Sequence, residues 1–147
     1  MIPISALQVA DYFLALQDED AGDLISNMKL QKLLYYAQGL HLAMTGEPLF
    51  SERITAWQYG PVVSSVYHEF KKYGSARIPP PDDLDFSSYD EATIGFLNEV
   101  YQVYGQFSAW KLRNMTHEER PYQEAKHNIG VISHNSMREH FQHHIEA

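Results

Sequence analysis

The run from Asn27 to Gly46 fixes most of what this chain can become. Leu30, Leu33, Leu34, Ala37, Leu40 or His41, and Met44 recur at helical spacing and lie along one apolar stripe. Tyr35, Tyr36 and Leu42 extend apolar and aromatic surface onto the flanks. A helix apolar over that much of its circumference needs neighbours on more than one side, so it is expected at the centre of a domain. Asn27 is the expected N-cap and Gly46 the expected left-handed stop.

The remaining elements are read as partners of that helix. Ile4 to Leu16 forms a first helix, capped by Ser5, with Ile4, Leu7, Ala10, Phe13 and Leu14 on one face. After Gly46, Leu49 and Phe50 precede a polar turn, and Ile54 to Tyr59 mixes β-formers on both faces. That pattern predicts a short hairpin or two brief extended pieces. Gly60-Pro61 is expected to start the next helix, because proline at a first helical position gives up no useful donor. Its stripe is Val62, Val63, Val66, Tyr67 and Phe70, and Gly74 closes it. Pro79-Pro80-Pro81 with nearby aspartates runs extended over the surface, and Ile78 can add a strand to the hairpin.

Ser88 followed three residues on by Glu91 matches a capping box for a helix reaching about Tyr104. Ser108 caps a short helix carrying Trp110, Leu112 and Met115. Pro121 starts another, to about Lys126, ended by Asn128 and Gly130. Ser133 opens the last, with Met137 and Phe141 inward. The expected fold is mainly α: a single compact helical domain over residues 1–147, built around a central helix at about 27–46, with a minor short β-hairpin.

Bulk properties narrow the function. Net charge is −8, which argues against nucleic acid as a partner, since that needs basic surface to displace counterions. It permits a basic protein partner. The acidic bunches, Asp18-Glu19-Asp20 with Asp23 and Asp82-Asp83 with Asp85, read as solvated loops. Cysteine is absent, which removes disulfides and thiol chemistry and fits a reducing cytosol. Met1 to Leu16 carries no Lys or Arg, so no basic-then-apolar leader is expected. No apolar run is long enough to cross a bilayer, so a cytoplasmic protein with no membrane partner is expected.

Three constellations could carry chemistry. His140 and His144 share a helix face, with His143 between them, but Glu139 precedes His140 and the pattern is not HExxH. Solvated terminal histidines are the expected outcome, with no metal and no cofactor. Thr116-His117-Glu118-Glu119 can place an imidazole beside carboxylates for acid–base work, or can be a helix end before a polar turn. Gly60-Pro61 offers free amides if a helix starts there, or a structural turn. No serine lies in a Gly-x-Ser-x-Gly context. The aromatics Tyr35, Tyr36, Trp57, Tyr59 and Tyr67 suit a core edge and a protein interface equally.

Three blocks taken together carry a resemblance. Met28-Lys29-Leu30-Gln31-Lys32-Leu33-Leu34-Tyr35-Tyr36-Ala37, Ala56-Trp57-Gln58-Tyr59-Gly60-Pro61-Val62, and Thr116-His117 leading to Pro121-Tyr122 resemble the Panacea domain, the SocA-like, phage-associated family of bacterial antitoxins. The likeness runs from about Val9 to Phe141, with Pro-Tyr where the family usually shows Pro-Trp. It implies a helical domain that neutralises a cognate toxin, from an adjacent gene, by direct binding. One related mode is an adaptor that delivers the toxin to a protease. Some relatives carry a DNA-binding segment before the domain; here the first helix starts at once, and autoregulation is not expected.

The leading expectation is therefore a non-enzymatic binding module. Its candidate surface is Lys29, Lys32, Tyr36, Trp57, Tyr59, Gly60 and Pro61. A small hydrolase or transferase using His117 with Glu118 or Glu119 is the contrasting expectation, and it requires a concave polar pocket around His117.

Overall fold

A computed structural model describes residues 4–18, 24–127 and 130–146. The elements are α1 (Ala6–Ala15), α2 (Asn27–Thr45), β1 (Thr55–Trp57), β2 (Gly60–Val62), α3 (Ser64–Phe70), α4 (Glu91–Tyr104), α5 (Ala109–Glu118), α6 (Arg120–Lys126) and α7 (His134–Glu146). The mainly α reading with one small hairpin is borne out. The expected stops at Asn128 and the acidic residues Glu19, Asp20 and Asp23 lie outside the described residues.

Helix α2 is the hub. It packs against α1, α3, α4, α5, α7 and β2. From Asn27 to Leu42 it buries every residue but Met28 and Leu40, so its polar residues are buried with its apolar ones. Buried amides must find partners, and here they fasten the passing chain. Gln38 accepts from the amides of Leu49 and Phe50 and donates to the Phe50 carbonyl. Gln31 accepts from the Val63 amide at 2.9 Å and donates to Asn27 Oδ1. Asn27 in turn donates to the Tyr67 carbonyl.

Asn27 is therefore not the cap of α2. Ser26 is, accepting from the Lys29 amide, because the Asn27 side chain is committed to the network beneath it. Gly46 closes the helix in the left-handed region at φ 80°, as expected. Helix α4 shows a similar shift of cap. Asp90 accepts from the Thr93 amide at 2.7 Å, while Ser88 belongs to a single 3₁₀ turn, Phe86–Ser88, hung on the Asp85 carbonyl.

Gly60-Pro61 does not start a helix. Both residues lie in β2, with Trp57 opposite Gly60 and Ala56 opposite Pro61, and α3 begins at Ser64. Gly60 sits at φ 120°, which L side chains rarely adopt. Pro61 is tolerated because β2 is an outer strand with no ladder donor to lose. The other side of β1 is paired by the chain before α7: Ala56 donates to Gly130, and Ile132 donates to Ile54. Ile78 does not extend this hairpin; its amide donates to the Ile25 carbonyl.

Helix α7 closes the body over α2. Phe141 lies on Gly39, where a Cβ would come within 2.1 Å of its ring. Met137 and Phe141 are both inward, as their spacing predicts.

Candidate functional site

The first half of α2, the hairpin turn, α3 and the first turn of α5 enclose a cavity of about 630 Å³. Its principal walls are Trp57 and Tyr59 from the hairpin, Tyr67 from α3, Trp110 from α5, and Asn27 and Lys32 from α2. The Trp57 and Tyr67 rings meet edge to face, with centroids 5.1 Å apart. Tyr59 and Trp110 stand exposed at 49% and 57%. Arg113 lies one turn after Trp110, with its guanidinium 4.7 Å from the Trp110 ring and 6.0 Å from the Tyr59 ring.

The turn that carries Tyr59 is held from behind. The Tyr122 hydroxyl donates to the Trp57 carbonyl at 2.6 Å, and His117 Nε2 lies 3.1 Å from the Gln58 carbonyl and 3.0 Å from the Tyr122 hydroxyl. Burial, then the neighbouring Arg113, holds His117 below the usual imidazole value. A neutral ring donating to Gln58 suits that arrangement. Tyr122 thus has a polar task.

Lys32 is the unusual member. It is 1% exposed. Burial, then Arg113, pulls its ammonium down to about 7. Among the described residues no carboxylate or other acceptor pairs with it.

The seven residues expected on one surface do not share one. Lys32, Trp57 and Tyr59 are together at the cavity, whereas Gly60 and Pro61 are buried and do not line it, Gly60 lying against the Lys32 stem. Lys29 is buried and donates to the Gly105 carbonyl at 2.6 Å, at the end of α4. Tyr36 is a core residue, stacked on Tyr104 with centroids 4.1 Å apart and touching Phe141 edge-on. Trp110, Tyr67 and Arg113 were not on that list of seven. The one sequence signal for the last was the three-residue step from Trp110 to Arg113, which puts a cation over an indole on one helix face.

Tyr36 belongs to a second polar cluster, one helical turn along α2 from Lys32. The Tyr35 and Tyr36 hydroxyls each donate at 2.9 Å to a different oxygen of Glu119. Glu119 is 14% exposed and burial raises its carboxyl to about 7, although the two phenols draw it down. His140 Nε2 stands 3.9 Å from Glu119, with burial and then His144 lowering its value. His117 and Glu119, two residues apart, therefore serve different clusters: one holds the hairpin, the other is capped by tyrosines. The structure does not bring them together as an acid–base pair. Glu118 is exposed. Among the described residues no group of three His, Asp or Glu could hold a metal ion, and no helix is long and apolar enough to cross a membrane.

The family described as "Antitoxin SocA-like, Panacea domain" matches residues 30–123. The chain belongs to this family. The matched span starts within α2 and ends within α6, narrower than the resemblance read from the sequence, and it contains the hairpin, Trp110, Arg113 and Glu119. Antitoxin SocA of Caulobacter vibrioides (strain NA1000 / CB15N) is 48% identical over 54 residues, which is 37% of this chain and 29% of that protein. The alignment thus spans under a third of that relative's length. No solved structure matches.

Proposed function

We propose that this Panacea domain is an antitoxin that neutralises a cognate toxin, encoded beside it, by direct binding through the face around the cavity. What supports this is one coincidence. A chain of an antitoxin family presents its two tryptophans and Tyr59 around a single concave site, and two of those three rings stand in solvent. Exposed aromatics beside an arginine are the composition of an interface centre. Lys32 and Trp57 wall the site, Gly60 and Pro61 carry the strand that backs Lys32, and Lys29 and Tyr36 brace the helix that carries it. The acidic surface elsewhere accelerates encounter with a basic toxin, an effect that salt weakens.

Co-expression with the product of the neighbouring gene tests it. Growth rescue by the wild-type chain, together with a co-purifying complex, is the expected result. A neighbour that is harmless, or one that is toxic yet neither rescued nor bound, overturns the proposal.

A further inference from the structure

The antitoxin proposal uses the rim of the cavity and leaves its interior unexplained. Both tryptophans of the chain, Trp57 and Trp110, line it, as do Tyr59 and Tyr67. Its volume of about 630 Å³ falls within the range of small-molecule sites, which pair mostly apolar walls with a few placed polar groups. At its α2 side is Lys32, 1% exposed and without a carboxylate or acceptor among the described residues. A lysine this buried is normally paired. Arg113 beside it has a buried Nε that also lacks a hydrogen-bond partner. Two neighbouring cations and four aromatic rings suit negative charge carried on a flat body.

We propose that the cavity binds a small planar molecule carrying an anionic group, its ring between the aromatic walls and its carboxylate or phosphate on Lys32. The charge is met by Lys32, assisted by Arg113, and the stacking by Trp57 and Trp110. The site does not require the toxin, so a ligand here would adjust the same face that the toxin covers. The other titratable or charged groups near Lys32 are His117 from α5, Tyr59 of the hairpin turn and Tyr67 of α3. An anion favours the charged lysine, so binding is tightest below about pH 7 and weakens above it, where free Lys32 is neutral.

Tryptophan fluorescence reads the site directly, because no indole lies elsewhere in the chain. The purified full chain is titrated with AMP and with adenosine, and separately with benzoate and with benzamide. Saturable binding of at least one anion, with its neutral analogue weaker by about tenfold or more, is expected from a charged contact. Preference for AMP identifies the phosphate source and preference for benzoate the carboxylate source. Lys32→Met, which keeps the apolar stem, abolishes the difference between anion and neutral analogue; Trp110→Ala, at an exposed position, weakens both. Lysine-labelled NMR provides a second readout in the wild-type chain: bound anion moves the Lys32 titration to higher pH. Equal response to charged and neutral probes, or no saturable response to any of the four with an unmoved Lys32 titration, overturns the proposal. Toxin rescue is scored separately, so failure here leaves the antitoxin proposal standing.

Discussion

Gly60 and Lys32 touch between the hairpin and α2: a Cβ on Gly60 would stand 2.6 Å from Lys32 Cε and 3.1 Å from its Nζ. The glycine therefore does two things. It allows φ 120° next to the hairpin turn, and it lets the backbone lie on the lysine stem. Gly60→Ala is expected to cost about 2–4 kcal/mol, combining left-handed strain with overlap. Chemical denaturation measures it. In a Lys32→Ala background the overlap is relieved and the strain is not, so the penalty falls without vanishing. An unchanged midpoint for Gly60→Ala alone refutes the contact.

Two buried ionisable groups set opposite slopes on either side of neutrality. Burial keeps Glu119 protonated in the fold up to about pH 7, against 4.5 for a free glutamate. Its contribution is full below pH 4.5 and is lost as pH rises through about 7, on the order of 3 kcal/mol at most. Lys32 is depressed from 10.5 to about 7. Its contribution is full above pH 10.5 and is lost as pH falls through about 7. The fold is therefore expected to be least favoured by these two groups near neutral pH. Melting temperature measured across pH, wild type against each variant, separates them. Glu119→Gln flattens the acid side of the difference curve and Lys32→Met the alkaline side. Variant curves that run parallel to wild type contradict the burial argument.

Much of this was legible in the sequence, for a physical reason. Helical periodicity records which face is buried, so the inward pair Met137 and Phe141 and most of the α2 stripe could be read directly, but Met44 on that stripe is 59% exposed, and the burial of Lys29, Gln31, Lys32 and Gln38 has no place in it. Gly46 was legible because a left-handed stop has few alternatives. Long-range polar pairings were not. Gln31 reaching the Val63 amide and Tyr36 reaching Glu119, 83 positions away, leave no periodic trace. The misplaced α2 cap follows from the same blindness: Ser26 and Asn27 are equally good local caps, and only the long-range hold on the Asn27 side chain by Tyr67, with Gln31, leaves the cap to Ser26. Gly60-Pro61 failed differently. The dipeptide is compatible with a helix start and with an outer strand, and only the pairing with Trp57 and Ala56 decides between them. At the site, Tyr36 and Tyr59 look alike in sequence, yet one is 1% and the other 49% exposed.

Gly39 and Phe141 offer a test of how α7 is held. A Cβ at Gly39 would lie 2.1 Å from Phe141 Cε2, so Gly39→Ala must displace the ring, at about 1–3 kcal/mol or more. Phe141→Ala removes an aromatic packed on Tyr35 and Tyr36 and is expected to cost about 3–5 kcal/mol. The two are not additive. Once the ring is gone the alanine methyl has room, and its higher helix propensity returns up to about 1 kcal/mol. A double-mutant cycle by urea denaturation checks this. Additive penalties place the two residues out of contact.

Stability and binding are expected to part company at the cavity rim. Tyr59 and Trp110 are largely in solvent, and Arg113 is their principal ring contact. Tyr59→Ala and Trp110→Ala should shift stability by no more than about 0.5–1 kcal/mol. If the rim is the toxin-binding face, each is an interface anchor, and truncating an anchor costs about 2 kcal/mol or more, roughly thirtyfold in Kd. Tyr36→Ala behaves in the opposite way. It removes the ring stacked on Tyr104 and one of two phenols on Glu119, so it lowers the melting temperature and binding together. Tyr36→Phe keeps the stack and loses one hydrogen bond, about 1–2 kcal/mol, while sparing affinity in the folded fraction. Affinity for the cognate toxin and thermal melting, measured on the same four variants, resolve the pattern. Rim variants that bind as tightly as wild type would move the interface elsewhere on the domain.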